Sequence, residues 1–144
     1  MSDAETQERT GRCMCGAVEF TAQIKLELSA CHCGMCRRWS GGPLLCVPTL
    51  KVRWADETKI VTFESSAWAE RGHCGVCGSN LFYRITETNA PEAGYALPMG
   101  LLDDQSGLDF NREWFIDAKP EGYAFSGERE CLTEAQVMAM FAPS

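Results

Sequence analysis

The stretch Arg71-Gly72-His73-Cys74-Gly75-Val76-Cys77-Gly78-Ser79 decides how this chain folds. Two thiolates at the Cys74–Cys77 spacing reach one zinc ion, each at about 2.3 Å, if the backbone turns tightly between them. Gly75 and Gly78 relieve that turn. Working outward, Cys13-Met14-Cys15-Gly16 presents a second pair, and Cys31-His32-Cys33-Gly34-Met35-Cys36 groups three more. A single pair arises easily by coincidence; three groups in one chain point to metal. The nine cysteines are an odd number, so internal disulfides cannot use them all. Met1 to Arg12 is polar with no apolar export signal. The expected compartment is therefore the reducing cytoplasm, where clustered cysteines bind metal or react.

Length and charge narrow the classes. A chain of 144 residues is one domain by size: residues 1–10 read as a flexible leader and residues 11–144 as a single domain. The net charge of −7 argues against a general nucleic-acid footprint and against an anionic membrane surface. No apolar run approaches the roughly 20 residues that span a bilayer.

The pattern around the cysteines is β-rich. Val18, Phe20, Ala22 and Ile24 alternate with Glu19, Thr21, Gln23 and Lys25, as a half-buried strand does. Further strands are expected at Leu28–Cys31, across Leu44–Trp54 with Leu50, Val52 and Trp54 on one side, at Lys59–Glu64, Ser79–Thr86 and Glu113–Asp117. Tyr95–Leu102 reads as an edge strand or strand end because Pro98 interrupts it. Gly34–Trp39 suits one helical turn. Thr88–Gly94 and Asp103–Asn111 read as loops. Thr133 and Gln136 mark the start of a C-terminal helix with Ala135, Val137, Met138, Met140 and Phe141 as its apolar face. The expected fold is mainly β, zinc-stabilised, with small antiparallel sheets and one short C-terminal helix.

Seven clustered ligands do not fill two four-ligand sites. A structural zinc site is closed by four protein ligands, and a catalytic one keeps three and an open position. The economical division gives Cys13, Cys15, Cys74 and Cys77 to a closed site, leaving Cys31, Cys33 and Cys36 as an open one. Spacing leaves alternatives: Cys31 and Cys33 could join Cys74 and Cys77, and Cys46, His32 or His73 could close the second site. Three thiolates on Zn²⁺ leave a net negative charge, which damps Lewis acidity and suits a soft fourth ligand such as sulfur. A free thiol is only about 3% ionised at pH 7, and a zinc-bound one is largely ionised. Ionisation thus offers roughly 30-fold by that arithmetic. Larger acceleration must come from holding thiol and electrophile together.

These motifs resemble those of the glutathione-dependent formaldehyde-activating enzyme (GFA) family, which includes centromere protein V-like proteins. The resemblance rests on Gly11-Arg12-Cys13-Met14-Cys15-Gly16-Ala17-Val18, on Cys31 through Arg38, and on Arg71 through Ser79, and covers about residues 11 to 125. It implies tent-like sheets, a structural zinc at Cys13, Cys15, Cys74 and Cys77, and a catalytic zinc at Cys31, Cys33 and Cys36. It also implies addition of glutathione to formaldehyde, a carbon–sulfur lyase reaction. His73 stands where an aromatic such as Phe is expected in the family, and Cys46 is extra. Arg37, Arg38 and Arg71 flank the motifs and are candidates for glutathione's carboxylates, which arginine can bind in bidentate fashion.

Blander readings apply elsewhere. His32 and His73 are expected beside the metals and not on them. Cys46 reads as a small core residue, Cys131 as a bystander, and Trp39, Trp54, Trp68 and Trp114 as core or partly buried. Three other functions compete with thiol–aldehyde chemistry. A non-catalytic zinc module would show closed sites and an exposed apolar patch. A nucleic-acid domain would need a local basic patch, and a thiol redox protein would work through Cys74 and Cys77.

Overall fold

The alternation from Val18 to Ile24 falls on a strand that starts at Glu19, one residue after Val18, and all four of its apolar side chains are buried. In the computed structural model, which describes residues 5–87 and 94–141, it belongs to a mainly β fold. The elements run β1 (Thr6–Arg12), β2 (Glu19–Lys25), β3 (Glu27–Cys31), α1 (Gly34–Ser40), β4 (Leu44–Trp54), β5 (Ile60–Ser66), β6 (Ala69–Cys74), β7 (Asn80–Ile85), β8 (Tyr95–Pro98), β9 (Asp109–Trp114), β10 (Glu130–Leu132) and α2 (Glu134–Phe141). No helix among the described residues is long and apolar enough to cross a membrane.

Strand β4 joins two sheets. Its second half, Thr49–Trp54, pairs with β2, which also pairs with β1. Its first half, Leu44–Pro48, lies between β3 and β8 in a sheet ordered β10-β9-β3-β4-β8-β7-β6-β5. A bulge between Gln23 and Ile24 shifts the register where β4 passes from one sheet to the other. Leu50 sits at that shift and is exposed, while Val52 stays buried, so the expected common face of Leu50, Val52 and Trp54 is broken. The main core lies between the sheets. It packs Val18, Phe20, Ala22 and Ile24 against Val47, Leu81, Phe82, Tyr95 and Leu97. Trp54 joins it through ring contacts with Phe20, Phe82 and Tyr95.

Several expectations change. The stretch expected to be a flexible leader forms strand β1 from Thr6 onward. Its residues are mostly exposed and polar, so no alternation marks it. Backbone pairing with β2 and a buried Arg9 hold it. The Arg9 guanidinium donates to the carbonyls of Asp104 and Ser106 at 2.7 and 3.1 Å. Strand β8 is interior and ends at Pro98, where the missing N–H costs no ladder bond. The strand expected over Glu113–Asp117 is displaced to Asp109–Trp114, because Phe115 takes a left-handed φ of 56° and turns the chain. The sheets are not purely antiparallel: β9 runs parallel to both β3 and β10. The reciprocal cap of α2 is present, with Thr133 N donating to Gln136 Oε1 at 2.8 Å and Gln136 N to Thr133 Oγ1 at 3.2 Å. Of that helix's expected apolar face, Val137 is buried while Met138 and Met140 are exposed. Trp68 is exposed. Most of the Thr88–Gly94 loop lies outside the described residues.

Candidate metal centres

Four sulfurs meet where β1 ends and β6 turns into β7. The Sγ atoms of Cys13, Cys15, Cys74 and Cys77 all lie within 4.8 Å of one another. Cys13 Sγ is 3.7 Å from Cys15 Sγ, which is 3.9 Å from Cys74 Sγ. Metal–sulfur bonds of about 2.3 Å in a tetrahedron place sulfurs about 3.8 Å apart, so the spacing fits a shared ion. The turns are built for it. Gly16 and Gly78 adopt φ of 83° and 81°, which only glycine accepts without strain. Backbone N–H groups point at sulfur: Val18 N lies 3.3 Å from Cys13 Sγ, and Val76 N 3.3 Å from Cys74 Sγ. Such donors favour the thiolate a metal requires. The Ser79 hydroxyl, 3.1 Å from Cys77 Sγ, helps pull that thiol down to about 5. Met14 N donates to Ser79 Oγ at 3.0 Å and locks the two turns together.

The second group sits where β3 enters α1. The Sγ atoms of Cys31, Cys33 and Cys36 lie within 4.8 Å of one another, and no further His, Cys, Asp or Glu among the described residues joins them. Cys33 caps the helix, its sulfur accepting from Cys36 N at 3.4 Å. The backbone that orients two of the sulfurs is therefore the first turn of a helix. Cys36 is buried, while Cys31 and Cys33 are partly exposed. Hydrogen bonds from the Cys31 and Cys36 thiols hold the Cys33 thiol down at about 2. The same Cys33 thiolate pushes Cys31 well above the ordinary range. Metal ligation requires thiolates, so taking up a cation at the trio is coupled to proton release. The donor set, three soft sulfurs and no hard oxygen, fits zinc or another thiophilic cation.

The structure thereby brings together both sets of candidate ligands and separates them from the alternatives. His32 lies between two of the sulfurs in sequence, yet its ring points away and is buried. His32 Nε2 is 2.8 Å from Glu113 Oε1, and Nδ1 is 2.7 Å from the Tyr123 hydroxyl. Glu113 in turn accepts from Arg129 Nη1 at 2.7 Å. Glu113, Tyr123 and Arg129 lie outside the motifs, and no spacing in the sequence connects them to His32. Cys46 is a buried residue beside the trio, 3.5 Å from Ser29 Oγ, with its thiol raised by burial; it belongs to neither sulfur group. His73 is a half-buried residue of β6 facing Val61 across the ladder. Cys131 is exposed.

The arginines divide. Arg37 and Arg38 are exposed in the last turn of α1. Arg71 is buried in β6, with Nη2 and Nη1 3.6 and 3.8 Å from Cys36 Sγ. Its guanidinium lies 4.9 Å from the ring centres of both Trp39 and Tyr83.

Fold and sites together define a β-rich protein with one four-sulfur centre tying its turns and one three-sulfur centre at a helix start. The chain belongs to the glutathione-dependent formaldehyde-activating enzyme family, whose model matches residues 8–118. It is 31% identical over 133 residues to a Schizosaccharomyces pombe protein described as an uncharacterized lyase, covering 91% of this chain and 95% of the yeast protein. It is also similar to a crystal structure of a Rhodobacter sphaeroides protein, with a TM-score of 0.54 and 20% identity. That match covers 65% of this chain and 87% of the other and supports the fold alone.

Proposed function

We propose that this protein is a zinc-dependent, carbon–sulfur lyase-like enzyme that joins a glutathione-like thiol to formaldehyde or a related small carbonyl. The observation that carries the reading is the contrast between a four-sulfur centre and a three-sulfur centre to which no fourth ligand is added among the described residues. The family and the lyase-named yeast relative support the reaction class.

Cys13, Cys15, Cys74 and Cys77 would hold a structural zinc, and Cys31, Cys33 and Cys36 a second one. A zinc ion at the trio would supply Lewis acidity that keeps an incoming thiol ionised. The chain's own residues set the geometry: the first turn of α1 fixes Cys33 and Cys36, and β3 fixes Cys31. Arg37 and Arg38, exposed on the same helix, would meet the carboxylates of a glutathione-like substrate. In the reaction the sulfur lone pair forms a C–S bond to the carbonyl carbon. The C=O π pair moves to oxygen, which ends with the proton the thiol lost. The reverse direction breaks the same bond. On this reading the chain from strand β1 onward acts as one domain and works in the cytoplasm.

The test is a formaldehyde-consumption assay of zinc-loaded protein with and without glutathione, beside a zinc count. The reading expects two zinc ions per chain and a glutathione-dependent rate that Cys33→Ser abolishes. Equal rates with and without the protein would remove it. A second reading, a non-catalytic binding module, is favoured by one observation: edge strand β5 exposes Val61 and Phe63, with Trp68 beyond them. It expects no thiol-dependent turnover.

A further inference from the structure

Arg71 is a buried cation with no carboxylate. Its residue is only 6% exposed, and no acidic side chain among the described residues lies within ion-pair distance of it. Both terminal nitrogens point at one sulfur, Cys36 Sγ, and Nε is buried without a hydrogen-bond partner among the described residues. A buried charge is costly unless it is compensated. Trp39 and Tyr83 flank the guanidinium and supply part of that compensation through their ring faces. The remainder has to come from an anion, and the sulfur group is the one in contact.

The placement is held from several directions. Arg71 pairs with Phe63 on one side and Tyr83 on the other. Trp39 is carried by α1, whose position is tied to β7 by Asn80 Nδ2 donating to the Trp39 carbonyl at 3.0 Å. The cation is thus fixed beside the metal group by two sheet neighbours and one helix.

Charge arithmetic shows what this does. Three thiolates and a divalent ion sum to a single negative charge. A fourth, anionic sulfur would raise it to two, which disfavours that ligand in a partly buried site. With Arg71 in contact, the three-sulfur centre is neutral before the fourth ligand arrives. We propose that Arg71 is a positioning residue that neutralises the Cys31–Cys33–Cys36 centre, so that it accepts an anionic sulfur ligand in preference to a neutral one. This deepens the proposed function and rests on the trio holding a divalent metal. It assigns Arg71 to the metal centre and leaves carboxylate recognition to Arg37 and Arg38.

The experiment uses the full chain loaded with Co²⁺, whose sulfur charge-transfer absorption reports an added thiolate and whose ligand-field bands report an added nitrogen ligand. The probes are 2-mercaptoethanol, as an anionic sulfur ligand, and imidazole, as a neutral one, at fixed pH. Neither probe requires glutathione or formaldehyde, so failure of the substrate assignment leaves the result intact. For Arg71→Gln the expected result is about a tenfold or greater loss of 2-mercaptoethanol affinity, with imidazole affinity unchanged or improved. Arg71→Lys, which keeps the charge, should stay within about threefold of the parent for both probes. The proposal is overturned if Gln leaves the thiol affinity intact, or if it weakens both ligands alike. If Arg71→Gln does not fold, Arg71→Lys decides: near-parental thiol affinity upholds the role of charge, and a tenfold loss refutes it.

Discussion

His32 Nε2 and Glu113 Oε1 lie 2.8 Å apart inside the protein, joining the loop between two metal-site cysteines to strand β9. The same loop is held by its backbone, since His32 N donates to the Trp114 carbonyl at 3.0 Å. His32 is thus a strut behind the sulfurs. Replacing it with alanine leaves the Tyr123 hydroxyl and one Glu113 oxygen without that partner. A cost of roughly 2–4 kcal/mol is expected in urea unfolding. Metal content should stay at the parental value. A lost metal equivalent in a folded His32→Ala protein would make His32 a ligand after all.

The two sulfur centres should respond differently to loss of one ligand. Cys74 belongs to the group that ties the β1 end to the β6–β7 turn. A structural zinc contributes directly to folding, so Cys74→Ser is expected to be unfolded or to melt far below the parent. Cys33→Ser should remain folded and retain about one zinc per chain, because its group closes only a short segment. Thermal melting with metal analysis checks both. Equal collapse of the two variants would assign a structural role to the trio as well.

Acid stability should depend on Glu113. Burial pushes its carboxyl up, but hydrogen bonds from His32 and Arg129 outweigh that and hold it below the ordinary carboxylate range. A carboxyl depressed on folding contributes stability that is present above its unfolded value, near 4.5. That stability is lost as pH falls through the lower folded value. The gap in urea midpoint between parent and Glu113→Gln should therefore be widest at neutral pH and shrink on going from about pH 5 to pH 3. A constant gap across that range would contradict the assignment.

Gly72 in β6 has the Phe82 ring directly over its Cα. An added methyl group would fall inside the ring's van der Waals surface. Gly72→Ala is expected to cost about 1–3 kcal/mol by overpacking. Because Gly72 adjoins Arg71, the variant should also perturb absorption of the Co²⁺-loaded trio. The control is Gly42→Ala, where a methyl group meets nothing within 4 Å and stability should hold.

The sequence alone determined which sulfurs form close local groups and where most strands run. Cysteine spacing is a local property, because a turn of two or three residues decides whether two thiolates can share an ion. The alternation of β2 and the reciprocal cap of α2 are local too. Tertiary structure decided everything that depends on chain segments meeting. It brought Cys13 and Cys15 within reach of Cys74 and Cys77, the grouping that the family resemblance implies and that spacing leaves open. It made a strand of the polar stretch Thr6–Arg12, whose stability comes from a neighbour's backbone and from a buried Arg9, neither of which has a period to read. It turned the His32 ring away from the sulfur trio toward Glu113, and it set Arg71, an expected candidate for carboxylate binding, against Cys36. Those two placements arise because burial obliges each polar group to find a partner, and the partner's identity is fixed only when distant strands pack.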